Sequence, residues 1–230
     1  MANLANSWND KVKAFFIKTK HYFKNNWKKI LFNYLYFFAM LTALFILDFA
    51  TKRTLFVFED GSKDFHGFTQ GEYDVDASKF QDFKIIGIRS VGHVGVTFMR
   101  TKNIAFIQTI SLIIFISILI GVAFMRNLFT ILTIGVVAAG DLGNLVDRFL
   151  YHGMVKDIFY MPWLDRGTFN FADVCLTLGC VIIVGYMIYQ IIYEHKKKEK
   201  HPENSQNNDL SGESKKDEEQ QNFNNNLKMS

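Results

Sequence analysis

Four stretches of the chain stay apolar for about as long as a helix needs to cross a bilayer. They cover 30–49, 104–125, 128–146 and 174–193. Each is close to the ~20 residues, at ~1.5 Å rise per residue, that span about 30 Å of hydrocarbon. A soluble core would distribute its apolar residues at helix or strand period, whereas here they are blocked, which indicates a polytopic membrane protein. Because a helix satisfies its own backbone polar groups in hydrocarbon, the expected fold is mainly α, a bundle of four transmembrane helices.

Lysine placement orients the bundle. Lys11, Lys13, Lys18, Lys20, Lys24, Lys28 and Lys29 precede the first block against the single acid Asp10, and Lys196, Lys197, Lys198 and Lys200 follow the last. Positive residues stay inside, so both termini are expected in the cytoplasm, with the turn at Arg126 and Asn127 inside and the segments 50–103 and 147–173 outside. Three regions follow: a basic cytoplasmic arm over 1–29, a membrane domain over 30–195, and a tail over 196–230. The tail is too polar to offset the entropy of ordering, so it is expected to be disordered. The first block is longer than the core of a secretory signal and ends in Leu47-Asp-Phe-Ala-Thr-Lys52 without a small-residue cleavage site, so it reads as a retained helix. Both an amphipathic helix on the anionic inner surface and a solvated arm fit residues 11–29. In the first outer segment, β-branched and aromatic residues at 84–88 and 94–98 predict short strands, and 59–82 reads as a polar insertion. Cys175 and Cys180, five apart in one block, fall on different helix faces, which argues against a disulfide or a metal site and reads them as small helix-packing residues.

Against this apolar background the polar residues stand out. Asp48 and Lys52 end the first block, Asp141, Asn144, Asp147 and Arg148 end the third, and Asn170 and Asp173 open the fourth, with Asp157 between the last two. A charge near hydrocarbon costs about 2.5–3.5 kcal/mol even on the insertion scale, so such a cluster marks a functional site. With four alternating helices these groups all reach the outer face. Two aspartates there, Asp157 and Asp173, suit acid and base work on a peptide bond: neighbouring carboxyls resist joint ionisation, so one keeps a proton while the other activates water. No zinc-binding helix pattern and no serine elbow is present, and neither a metal nor a cofactor nor a nucleic acid is called for. The simpler roles are a surface ion pair for Asp48 and Lys52, an N-cap for Asp173, and a snorkelling Arg148. A small transporter or channel with an acidic relay is the competing class, and it would place acids at several depths.

In sequence order, Asp48-Phe-Ala-Thr-Lys52, Gly95-Val-Thr-Phe98, Gly140-Asp-Leu-Gly-Asn-Leu-Val-Asp-Arg148, Val155-Lys-Asp157 and Phe169-Asn-Phe-Ala-Asp173 resemble five boxes of the lipoprotein signal peptidases, also called signal peptidase II. The resemblance covers roughly 30–195. It implies a four-helix bundle with a small extracytoplasmic β cradle between helices 1 and 2. It also implies a membrane aspartyl endopeptidase in the bacterial cell membrane, active at the outer face as a monomer, that cuts diacylglyceryl-modified prolipoproteins before the lipidated cysteine. Asp157 and Asp173 would be the catalytic pair; Asn144, Asp147, Arg148, Asn170, Ala172 and Gly95 would bind substrate or shape the site, and Asp48 with Lys52 would support its rim. Membrane lipids and the prolipoprotein are the implied partners. Four positions depart from the family pattern: His93 stands for Asn, Asp141 for a small residue, and Lys156 and Ile158 flank the first catalytic aspartate where Val and Phe are usual, the Lys156 charge being expected to favour the ionised form.

Overall fold

The structure is a computed structural model that describes residues 2–58, 73–74, 81–94, 103–164 and 167–200. Gly95 and its box through Phe98, most of the 59–82 insertion, the Asp165-Arg166 turn and the tail from 201 lie outside the described residues. Four helices, α1 (Ala2–Leu55), α2 (Ile104–Val122), α3 (Leu128–Leu150) and α4 (Phe171–Lys200), form the frame. Each contains a segment long and apolar enough to cross a membrane. Two compact units divide the chain, Met1–Val181 and Ile182–Ser230. The first contains every residue of the site described below; the second begins inside α4, whose later turns expose Met187, Ile188, Ile191 and Ile192.

Helix α3 is the centre of the bundle. Half of its apolar window is buried, against 22% for α1, 6% for α2 and 17% for α4, so the other helices present most of their surface to lipid. That explains exposed Leu31, Leu35, Ile113 and Ile120: hydrocarbon is as good a solvent for them as a protein core. What holds such helices together is close packing and polar contacts. Gly135 of α3 lies against Met40 and Phe37 of α1, where an added Cβ would sit 3.2 Å from the Met40 side chain. Phe37, Leu41, Val122, Ile131, Ala138 and Ala139 pack together there. At the opposite end from the sheet, buried Asn33 donates to the carbonyls of Val122 and Met125 at 3.0 and 2.9 Å. It thereby ties α1 to the last carbonyl of α2 and to the turn that follows it.

The basic arm is not a separate element: α1 runs unbroken from Ala2 to Leu55. Tyr22 of that arm stacks on Phe124 at 5.3 Å between ring centroids and donates its hydroxyl to Ala123 O at 3.3 Å, so the arm buttresses the α2–α3 turn.

The sheet draws on both outer segments. Strands β1 (Tyr73–Asp74), β2 (Gln81–Asp82) and β3 (Gly87–Val94) come from the first, and β4 (Met154–Tyr160) and β5 (Thr168–Phe169) from the second. All pairings are antiparallel, with β3 and β4 at the centre. The predicted strand at 84–88 is displaced: Lys84 takes a left-handed turn conformation, φ 70°, and the strand begins at Gly87. Of the predicted 94–98 strand, only Val94 is described, as the end of β3. The second outer segment contributes β4 and β5, and Asp157 lies within β4.

Candidate active site

The start of α4 is built by four residues. Asn170 is its N-cap, and its side-chain Oδ1 accepts from Asp173 N at 2.9 Å. In return Asp173 Oδ2 accepts from Asn170 N at 3.0 Å. This reciprocal pair is a capping box, which satisfies two backbone donors that a helix start leaves open. Asp173 is therefore not the cap but the third residue of the first turn, its carboxylate fixed by the cap. The Asn170 amide also donates to Asp157 Oδ1 at 2.9 Å and to Asn144 Oδ1 at 3.1 Å. Asn144 donates in turn to Asp173 Oδ1 at 2.8 Å. Two amides thus tie Asp157 to Asp173.

Behind the pair lies a buried ionic cluster. Lys52 is 3% exposed and bridges Asp48 at 2.8 Å and Asp147 at 2.9 Å, and it donates to Asn144 Oδ1 at 3.2 Å. Asp48 and Lys52 are therefore neither a surface ion pair nor the rim of the site but its foundation. Such burial is tolerated only where every charge is partnered. Asp48 Oδ1 accepts from Ala172 N at 2.8 Å, and Asp147 Oδ2 accepts from Lys156 N at 3.2 Å. The glycines of the third box let these groups meet. An added Cβ on Gly140 would lie 2.5 Å from Ala172 O, and one on Gly143 would lie 2.5 Å from Asp48 Oδ2 and 3.1 Å from Ala172 Cβ. Spaced three apart, they form the flat stripe against which the first turn of α4 and the end of α1 are seated.

Asp157 reaches the pair from the middle of β4. Helix α3 ends in a Schellman turn, with His152 at φ 53°, Gly153 at φ 93° and Gly153 N donating to Arg148 O at 2.8 Å. An added Cβ at Gly153 would strike Ile104, so this reversal needs glycine twice over. It sends β4 alongside β3 in a register that pairs Asp157 with Val91, next to an irregularity between Ile88 and Val91. Thr168 of β5 donates to Asp157 Oδ2 at 3.3 Å. Burial first, then the Asp173 charge, pushes the Asp157 carboxyl up to about 7. Lys156 does not supply the charge expected of it. Neighbours on a strand point to opposite faces, and its ammonium lies over Tyr151 at 3.8 Å, Phe58 at 5.2 Å and Phe56 at 5.4 Å from the ring centroids. Burial in this aromatic box pulls it down to about 8.

Asp157 and Asp173 open onto a cavity of about 460 Å³ whose lining includes Asn144, Arg148, Asp141 and His93. Arg148 does not snorkel outward; it is buried, with Nη1 donating to Asn144 O at 3.3 Å. Asp147 lies behind the cavity with Lys52. Of the anticipated site residues, Asp48, Lys52, Asn144, Asp147, Arg148, Asp157, Asn170, Ala172 and Asp173 converge at one end of the bundle, and Gly95 lies outside the described residues. Thr168 was missed, because a threonine next to a glycine in an outer segment carries no signal by itself. Among the described residues no group of three His, Cys, Asp or Glu is arranged to hold a metal.

A helical membrane bundle that brings two bridged carboxylates onto a cavity at one end is built like a membrane enzyme. Residues 40–189 match the family described as signal peptidase (SPase) II, well over half of the chain, and the protein belongs to that family. Relatives agree. A lipoprotein signal peptidase of Wigglesworthia glossinidia brevipalpis is 27% identical over 153 residues, covering 63% of this chain and 89% of that protein. One of Streptococcus pneumoniae is 29% identical over 110 residues, 43% of this chain and 71% of that protein. A solved bacterial membrane enzyme, determined by the in meso method, shares the fold with a TM-score of 0.55 at 22% identity, over 67% of this chain and 88% of that one.

Proposed function

We propose that this signal peptidase cleaves prolipoproteins by aspartic catalysis, with Asp157 as the acid and Asp173 as the base. The observation that carries the reading is the amide bridge Asp157–Asn170–Asn144–Asp173 on the wall of the cavity. Asp157, pushed up to about 7, holds a proton near neutral pH and donates it towards the scissile carbonyl. Asp173 takes a proton from the attacking water. The C–N bond then breaks, the leaving amine takes a proton from the pair, and the signal peptide departs with a new carboxyl end. The ionic cluster behind the pair holds α1, α3 and α4 in place and touches no substrate.

The lysine-rich ends support a site on the outer face with both termini inside. A prolipoprotein whose cysteine carries a diacylglyceryl group would keep its lipid in the bilayer while the peptide reaches up to the pair, so lipid anchoring supplies part of the orientation. Cleavage before that cysteine follows from this placement, and one chain contains every residue required. The acids gather at one end of the bundle, which speaks against an ion relay across it. The test is cleavage of a diacylglyceryl prolipoprotein, with and without its lipid, by the wild type and by Asp157→Asn and Asp173→Asn in membranes. Each variant should abolish cutting, and the unlipidated precursor should be cut poorly. Normal rates in either variant would remove the pair from the chemistry.

A further inference from the structure

We infer that Asp141 is a specificity-determining residue that accepts a hydrogen bond from a hydroxyl on the signal-peptide side of the scissile bond. This rests on the cavity being the peptidase site. Asp141 lines that cavity from α3, one helical turn from Asn144 and on the side away from the sheet. The other acids of the site have partners: Lys52 serves Asp48 and Asp147, Asn170 and Thr168 serve Asp157, and Asn144 and Asn170 serve Asp173. Asp141 Oδ2 is buried and has no hydrogen-bond partner among the described residues, and the same is true of His93 Nε2 on the same cavity. A carboxylate that served only to bind helices together would spend its oxygens on the neighbouring helix. This one faces Ser111 of α2 with one oxygen left over.

The unused oxygen is an acceptor, so its complement is a donor. Arg148 already supplies a positive charge to this wall, which leaves room for a neutral donor and not for a second cation. Apolar Ile107 and Leu176 flank the same space, so the donor sits on a short side chain, as serine provides. Depth assigns the side. The signal peptide must return its apolar run to hydrocarbon, so the residues preceding the cut lie deeper than Asp157 and Asp173, where Asp141 is.

Two diacylglyceryl precursors that differ only in serine or alanine immediately before the cut test this, each cleaved by wild type, Asp141→Ala and Asp141→Asn in the same detergent. A site with a buried acceptor discriminates against the ligand that leaves it unmet. The wild type should favour serine in kcat/KM by about 10-fold or more. Asp141→Ala should bring the ratio to within about twofold of one, whereas Asp141→Asn keeps an acceptor oxygen and should keep a preference. The same ratio in all three proteins would overturn the assignment. So would loss of cutting on both precursors in both variants, which would make Asp141 a part of the common machinery. Failure of the wild type to cut either precursor would instead bring down the peptidase reading on which this rests.

Discussion

Replacing Asp157 by asparagine should stabilise the protein above neutral pH while it destroys activity. The folded protein holds the Asp157 proton up to about pH 7, against 3.8 for the ordinary carboxyl. The folded state therefore binds the proton more tightly than the unfolded chain, and stability falls as pH rises through about 7. Fully developed, the cost of the ionised form is about 4 kcal/mol, at about 1.36 kcal/mol per tenfold change in proton affinity. Of this, about 2.5 kcal/mol opens between pH 5 and pH 8, less whatever the cavity recovers by relaxing around the charge. Asparagine is neutral, close to isosteric, and its carbonyl still accepts from Asn170, so the variant escapes the cost and keeps the contact. At about 2–4 °C per kcal/mol for a chain of this size, the melting temperature of the variant in detergent should exceed the wild type's by about 5–10 °C more at pH 8 than at pH 5. Lys156, brought down to about 8, titrates in both proteins and cancels in the difference. A gain that is the same at both pH values, or a variant less stable than wild type at pH 8, would refute the reasoning.

Lys52→Met leaves Asp48 and Asp147 buried without their cation, which should cost about 3–5 kcal/mol; thermal unfolding in detergent reads it, and a melting temperature unchanged from wild type would contradict the ionic foundation. Gly143→Ala drives a Cβ to within 2.5 Å of Asp48 Oδ2, so it should cost about 1–3 kcal/mol and lower cleavage through the displaced first turn of α4; full activity would mean the stripe is not needed. A reporter fused after Lys200 should be cytoplasmic and one inserted at 61–70 external; reversed signals would invert the orientation.

The helices and most of the site were legible for one reason: charged residues are rare at membrane depth, so Asp48, Lys52, Asn144, Asp147 and Arg148 are visible against their surroundings without any structure. Asn33 lies in the first apolar block and carries the same kind of signal, yet a neutral amide there reads as noise until Val122 and Met125 are found opposite it. The sheet was harder. Pairing β3 with β4 joins segments about sixty residues apart, and neither strand has the long alternation that would announce it. Helices α1, α3 and α4 run past their apolar blocks because polar turns, such as Phe171 to Asp173, continue the helix, whereas α2 stops at Val122, short of the expected 125. Lys156 shows the limit of reading neighbours from a chain: it adjoins Asp157 in sequence, but the pleat of β4 turns it into an aromatic box on the other face.

The Phe169-Asn-Phe-Ala-Asp173 box also resists a division into structural and catalytic residues. Asn170 is fully buried, and its amide has two donors and an acceptor. The donors go to Asp157 and Asn144, and the acceptor takes Asp173 N. Flipping the amide would set its oxygen against Asp157 Oδ1 and Asn144 Oδ1 and its nitrogen against a backbone N–H, so only one orientation is possible. Asn144 is fixed in the same way, since its oxygen receives Lys52 and Asn170 while its nitrogen faces Asp173. Donors therefore run outward from Lys52 through Asn144 to Asp173. Each of the two aspartates accepts two hydrogen bonds from protein, about half of what an ionised carboxylate can accept. In the proposed mechanism the capacity left over on Asp173 accepts from the attacking water, and the proton held by Asp157 is donated to the peptide carbonyl. A helix cap that was needed in any case thus fixes both carboxylates, and if they act as proposed, replacing Asn170 should disturb the fold and the chemistry together.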